Sequence, residues 1–236
     1  MSVKIFIEDK FPYIANILKK IKNVTINKYK QKKQRKILHN NGKEALEKLK
    51  EVFNELNIDW FLVYGTLLGA YRDKDFISHD IDIDIGLFFS DYSKQIENIM
   101  VKYGFTKKHE FLVDNGKFAV EETYEYKGIG IDIFYFKVMN DKLIGYGFIN
   151  KEGLSWDKTI QKYGGLLVRE LTFPYEGLDK IKFLGSYYPI PRNPKKHLSS
   201  HYGESFMIKD DKWKPNKVTN VKYLYNKLGV LKKYEK

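Results

Sequence analysis

Residues 60–89 read WFLVYGTLLGAYRDKDFISHDIDIDIGLFF. Trp60 to Tyr64 is a short apolar run of the kind that forms a buried strand, Gly65-Thr66 predicts a tight turn, and Leu67 to Tyr71 predicts one or two helical turns. After a polar loop a second strand is expected from Asp80 onward, in which Asp80, Asp82 and Asp84 alternate with Ile81, Ile83 and Ile85. Successive strand side chains point to opposite faces, so the carboxylates share one face and the isoleucines the other. Like charges in that arrangement repel unless a cation or a basic ligand neutralises them, and the pattern predicts a metal site. Two other readings are weaker. A solvated strand face is a poor home for aspartate, which strands disfavour. A calcium loop of the D-x-D-x-D type needs glycine at its sixth position, where Ile85 stands.

Aspartates one residue apart bind hard cations such as Mg2+, with Mn2+ as a substitute, and leave coordination positions open for substrate phosphates. The preceding turn supplies a complementary half. Gly65 lets the backbone approach a phosphate, and Thr66 is expected at a helix start, where N–H groups face an anion. Arg72 and Lys74 follow within two helical turns, close enough to reach a diphosphate; an ion pair of Arg72 with Asp73 or Asp75 is the competing role. His79 is a candidate base or orienting group, with a purely structural role as the alternative.

The string GTLLGAYRDKDFISHDIDIDIG at residues 65–86 resembles the LicD and fukutin-related family within the nucleotidyltransferase-fold superfamily. GIGIDIFYF at 128–136 and YPIPRNPKKHLSSHYGESF at 188–206 continue the likeness, which spans about residues 44–215. It departs at Ser78-His79-Asp80-Ile81, where Pro-Trp-Asp-Asp is expected. The resemblance implies a mixed α/β nucleotidyltransferase-like fold and a third metal ligand on a later strand, matched by Asp132. It further implies transfer of phosphocholine or a phospho-alditol from a CDP-linked donor to a glycan or lipid-linked glycan, with release of CMP. Asp82, Asp84 and Asp132 would then hold the metal, Gly65, Thr66 and Arg72 would bind phosphate, and Asp80 would assist the metal or accept a proton. The residues themselves give a further reason for Asp132, since a lone carboxylate between Ile131 and Ile133 is costly to bury without a partner. A nucleotidyltransferase acting on a small molecule, protein or RNA, and a non-catalytic scaffold, are the rival readings.

The net charge of +12 is unevenly spread over the 236 residues. Residues 1–43 carry twelve Lys or Arg against two acids, residues 195–236 carry eleven against four, and the stretch between is mildly acidic. Nucleic acid is therefore not the expected partner of the central body. The basic ends suit either simple solvation or peripheral contact with an anionic membrane. With no cysteine, no signal-peptide pattern at Met1 to Lys10 and no apolar run near eighteen residues, a cytoplasmic protein is expected, in contact with the inner membrane face if the ends bind there.

Three segments are expected: a basic amphipathic extension over 1–43, a catalytic domain over 44–208, and a basic tail over 209–236. In the first, Ile14, Ile17, Leu18 and Ile21 have helical spacing, and Lys28 to Lys36 forms a basic run. Asn40 or Asn41 is expected to cap a core helix ending near Leu56, and Ser90 or Asp91 a second helix ending near Lys102. Residues 117–126 and 129–138 predict an antiparallel pair turning at Lys127-Gly128, within which Glu121, Glu122 and Glu125 are either edge solvation or acceptor contacts. Leu143 to Gly165 reads as loops, in which Trp156 and Tyr163 pack on the core or stack on a ligand. Short strands are expected over 171–191, and a helix begins at Asn193-Pro194 and ends at Gly203. In the tail, Val218, Val221, Leu224 and Leu228 have roughly helical spacing and predict a final docked helix.

Overall fold

The computed structural model describes residues 12–210, 213 and 218–234, with side chains from residue 25 onward. Helix α1 (Pro12–Leu56) runs unbroken for 45 residues. No cap interrupts it at Asn40 or Asn41, because Leu38, Ala45, Leu46, Leu49, Val52 and Phe53 form a continuous buried stripe. An asparagine inside a helix costs only about 0.7 kcal/mol relative to alanine, so packing overrides the local stop signal. The edge expected between residues 43 and 44 thus falls inside this helix, and Lys28 to Lys36 is its exposed continuation, with only Arg35 half-buried. The stripe from Ile14 to Ile21 lies outside the described side chains.

After α1 come strand β1 (Trp60–Leu62), helix α2 (Tyr64–Leu68), a π-helical turn (Gly69–Asp73) and strand β2 (Asp82–Phe88). Helix α3 (Lys94–Lys102), strands β3 (Thr106–Val113), β4 (Ala119–Tyr126), β5 (Ile129–Met139) and β6 (Lys142–Ile149), and helix α4 (Trp156–Tyr163) follow. Strands β7 (Leu166–Pro174), β8 (Leu178–Phe183) and β9 (Ser186–Pro191), helix α5 (Pro194–Tyr202) and strand β10 (Val221–Lys233) complete the chain. The large sheet has the order β1-β2-β5-β4-β3-β10-β7-β6, and β5 also pairs with β6. Strands β5, β4, β3, β10, β7 and β6 therefore close a circuit of pairings, with β2 and β1 added outside it. The β2–β5 pair is parallel, and β8 and β9 form a separate hairpin.

This is the mixed α/β architecture that the sequence predicts. Its main core lies between the inner stripe of α1, helix α3 and one face of β2, β5 and β4. Ile83, Ile85, Ile131 and Ile133 are fully buried there against Leu46, Leu49 and Phe53, each isoleucine contributing roughly 1.5–3 kcal/mol. Their neighbours on the opposite face are Asp82, Asp84 and Asp132, so the apolar half of the alternation positions the acids.

The structure revises four local expectations. The acidic strand begins at Asp82 rather than Asp80. Helix α3 starts after Ser93, because residues 89–91 form a 3-10 turn. The region read as loops, 143–165, contains β6 and α4, the latter capped by Ser155, whose side chain accepts from the Lys158 amide. The tail forms a strand, not a helix. β10 lies between β3 and β7, satisfying backbone groups that would otherwise be left at two sheet edges. A register shift between Leu224 and Leu228 breaks the two-residue alternation, which is why the apolar spacing there resembles a helix. Helix α5 forms as predicted: Asn193 Oδ1 accepts the Lys196 amide, proline fills the first turn, and Gly203 ends the helix at a φ of 86°.

Candidate active site

The junction between β1 and α2 sets the geometry. The chain turns at Tyr64, whose φ is 42°, and not at Gly65-Thr66, so Gly65 and Thr66 occupy the first turn of α2. Both are committed to Asp84. The Gly65 amide donates to Asp84 Oδ2 at 3.1 Å, and the Asp84 amide donates to Thr66 Oγ1 at 2.9 Å. The predicted phosphate-facing turn is thus, in this structure, a clamp on the acidic strand. A Cβ on residue 65 would lie 2.8 Å from Asp80 Oδ2 and 3.3 Å from Asp84 Oδ2, so only glycine admits both carboxylates at this spot.

Asp82 and Asp84 share a face of β2, and Asp84 stands directly opposite Asp132 across the parallel β2–β5 pair. Asp132 in turn faces Thr123 of β4, whose hydroxyl donates to Asp132 Oδ1 at 2.6 Å. Asp80 arrives from the turn before β2 and reaches the Gly65 position from the other side. Asp80 and Asp84 therefore meet at the start of α2, with Asp132 in register with Asp84 on β5 and Asp82 two residues before it on the same face of β2. Burial raises all four, and neighbouring carboxylates add to it at Asp80, Asp84 and Asp132. Asp80 is pushed up to about 7 by burial and by Asp82, with Arg72 opposing. Asp132 is pushed up to about 7 by burial and Asp82, against the Thr123 hydrogen bond. Asp84 goes well above the carboxylate range through burial and the charges of Asp82, Asp132 and Asp80, and Asp82 is raised by burial.

Among the described residues no three Asp, Glu or His side chains converge into a ready-made metal cage. The donor set nevertheless fits a hard divalent ion. It consists of half-buried carboxylate oxygens alone, and two unit charges about 5 Å apart repel by roughly 3 kcal/mol at an effective dielectric constant near 20. Neutralisation by a cation would remove that repulsion. The hydrogen bonds from Gly65 and Thr123 each engage one oxygen of Asp84 and Asp132.

A cavity of about 120 Å³ opens beside Gly65 and Asp80, lined also by Arg72, His79, Tyr202, Lys209 and Trp213. Arg72 donates through Nε and Nη2 to the two Asp73 oxygens at 3.0 and 3.1 Å, and through Nη1 to the Phe206 carbonyl at 3.2 Å. The ion pair weighed from sequence therefore forms, with Asp73 as partner, and it ties the π-helical turn to the chain after α5. Arg72 also lines the cavity, and three of its five N–H donors are used. Lys74 instead donates to the Tyr71 carbonyl at 2.8 Å, lies over the Tyr71 ring and does not line the cavity. Tyr202, from α5, is pushed well above its ordinary value by burial and by Asp84 and Asp80. Trp213 packs on Tyr202 at 4.9 Å. Trp156 packs edge-on against Phe111 at 5.2 Å, away from this cavity.

The sequence profile of the LicD/FKTN/FKRP nucleotidyltransferase domain matches residues 57–193, from the end of α1 to the start of α5. The chain belongs to this family. All four carboxylates, the Gly65 clamp and Arg72 lie inside the LicD/FKTN/FKRP match, while Tyr202 and Trp213 lie beyond it. Ribitol-5-phosphate transferase FKTN of Macaca fascicularis is 28% identical over 177 residues, covering 73% of this chain and 34% of that protein. The human protein of the same name is 27% identical over 177 residues, with 73% and 34% covered, and the mouse protein 26% over 180, with 75% and 35% covered. The chain thus spans about a third of the length of these relatives. No helix among the described residues is long and apolar enough to cross a membrane.

Proposed function

We propose that the chain is a phosphotransferase that moves a phosphorylated small group, a phospho-alditol or phosphocholine, from a CDP-linked donor to a glycan hydroxyl and releases CMP. One observation carries the reading: in a LicD/FKTN/FKRP domain, Asp84 and Asp132 stand in register on paired strands, flanked by Asp82 and Asp80, beside a cavity that Arg72 lines. The relatives named as ribitol-5-phosphate transferases favour an alditol as the transferred group. Asp82, Asp84 and Asp132 would hold Mg2+ or Mn2+, which when bound offsets charge on the diphosphate and on the departing CMP. Among the described residues, two of the five Arg72 N–H donors have no partner and suit phosphate oxygens. Asp80, pushed up to about 7, is matched to accept the proton of the attacking hydroxyl near neutral pH. The hydroxyl oxygen bonds to the distal phosphorus as the bond from that phosphorus to the CMP oxygen breaks, with no covalent enzyme intermediate.

The test is product analysis after incubation with CDP-ribitol, CDP-glycerol or CDP-choline and a glycan acceptor. Free CMP together with a phosphodiester on the acceptor is expected. Nucleotide appearing on the acceptor would move the reading to nucleotidyl transfer. A chain that turns over none of these donors and binds no nucleotide with metal would fit a scaffold instead.

A further inference from the structure

Tyr64 carries two unfavourable features at once. A bulky residue is held at a φ of 42°, in the left-handed region, and its hydroxyl is buried with no hydrogen-bond partner among the described residues. The ring is fixed by Phe134 at 4.7 Å, His201 at 5.2 Å and Phe173 at 5.9 Å, so the phenol does not simply swing out to water. Strain and an unmet polar atom at one residue of a candidate site point to a ligand that completes it.

The charges acting on that phenol are Arg169, Glu121 and Asp84. Glu121 lies on β4 opposite Phe134 of β5, two residues along the same face from the Thr123–Asp132 pair. Its carboxyl is pushed well above the usual range by burial and by Asp132, with Arg169 opposing. Arg169 lies on β7 opposite Gly147 of β6, and a Cβ on residue 147 would come within 3.1 Å of Arg169 Nε, so the glycine keeps space for the guanidinium. Glu121, Phe134 and Arg169 all retain partial exposure.

We propose that Tyr64, Glu121 and Arg169 form a polyol-recognition set that holds the hydroxyls of the transferred group beside Asp132. The assignment rests on the CDP-donor reading and narrows it to alditols. A phosphate at this place would meet Glu121, Asp132 and Asp84, and a quaternary ammonium would meet Arg169. A hydroxyl suits all three side chains, donating to Glu121 and accepting from Tyr64 and Arg169.

Calorimetric titration of the full chain in Mg2+ with CDP, CDP-ribitol, CDP-glycerol and CDP-choline tests this, alongside Tyr64→Phe and Glu121→Gln, with thermal melts to verify folding. CDP-ribitol is expected to bind about tenfold or more tighter than CDP, and CDP-choline no tighter than CDP. Each variant should lose most of the ribitol advantage while its affinity for CDP stays within about twofold of the unaltered chain. If Tyr64→Phe does not fold, Glu121→Gln carries the comparison. Tightest binding of CDP-choline, or a ribitol advantage intact in the folded variants, overturns the assignment and leaves the donor reading in place. Failure of the unaltered chain to bind CDP overturns both.

Discussion

Gly65 and Thr66 hold Asp84 by its side chain and its backbone respectively, and the two contacts have separable consequences. Gly65→Ala places a methyl 2.8 Å from Asp80 Oδ2, which forces apart the two carboxylates that meet there. Transferase activity is expected to fall by about 100-fold, the scale set by ångström displacements in an active site, with little change in melting temperature. A fully active Gly65→Ala enzyme would show that the closeness of Asp80 and Asp84 is irrelevant. Thr66→Val removes the oxygen that accepts the half-buried Asp84 amide and should cost about 1–3 kcal/mol in denaturant unfolding, whereas Thr66→Ser should cost less than half of that. Equal losses in the two variants would exclude the hydrogen bond as the cause. The sequence made Asp82, Asp84 and Asp132 legible because each aspartate lies among isoleucines. Tyr64, Glu121 and Arg169 were not legible as a group, since they come together only when α2, β4 and β7 are assembled. The positive φ at Tyr64 has no local signature, because glycine at the next position attracts the turn prediction.

Strand β10 and the Lys107 cluster carry the stability of the sheet away from the site. Lys107 is buried with Glu97 at 2.9 Å, Glu110 at 2.7 Å and Glu122 at 2.6 Å, and Tyr135 donates to Glu122 at 2.6 Å. Among the described residues, Lys107→Met would leave Glu122 buried without a cation and Glu110 with Lys232 alone, at 3.4 Å, with an expected loss of about 3–5 kcal/mol in urea unfolding. A loss below about 1 kcal/mol would mean that water reaches the cluster. In β10, Leu231 pairs with Phe111 of β3. Leu231→Pro removes a ladder donor from an interior strand and should abolish cooperative unfolding or cost roughly 3 kcal/mol or more. A helical tail would predict a local effect of similar origin but would leave amide protection in β3 and β7 intact, so hydrogen exchange in those strands decides between them. Elements with an uninterrupted period, such as the core stripe of α1 and the β4–β5 hairpin, were readable from sequence. β10 was not, because its bulge disrupts the alternation and its place is fixed by two partners far away in the chain.

Over the whole molecule, the proposed metal site would set protons and cations in competition for the same half-buried oxygens. Asp80 and Asp132, pushed up to about 7, retain protons that the unfolded chain releases near 4, so their contribution to metal-free stability falls as pH rises from about 4 through about 7. His197 and His201 oppose this: burial lowers them to about 3 and about 4, so their contribution is lost as pH falls below about 6.5. The metal-free melting temperature mixes the two trends. The increment produced by Mg2+ isolates the first, and it should be small at pH 5 and grow to a plateau above pH 7; an increment independent of pH would place the ion elsewhere. The strongly basic ends lie largely outside this balance, with the mildly acidic body between them holding the carboxylates. The most direct measurement is calorimetric titration of CDP into the chain with Mg2+ and with EDTA, repeated on Asp82→Asn/Asp84→Asn. The carboxylate site predicts binding that requires Mg2+ and is lost in the double variant while the fold is retained. Binding that persists in EDTA, or that the folded double variant keeps, would contradict it.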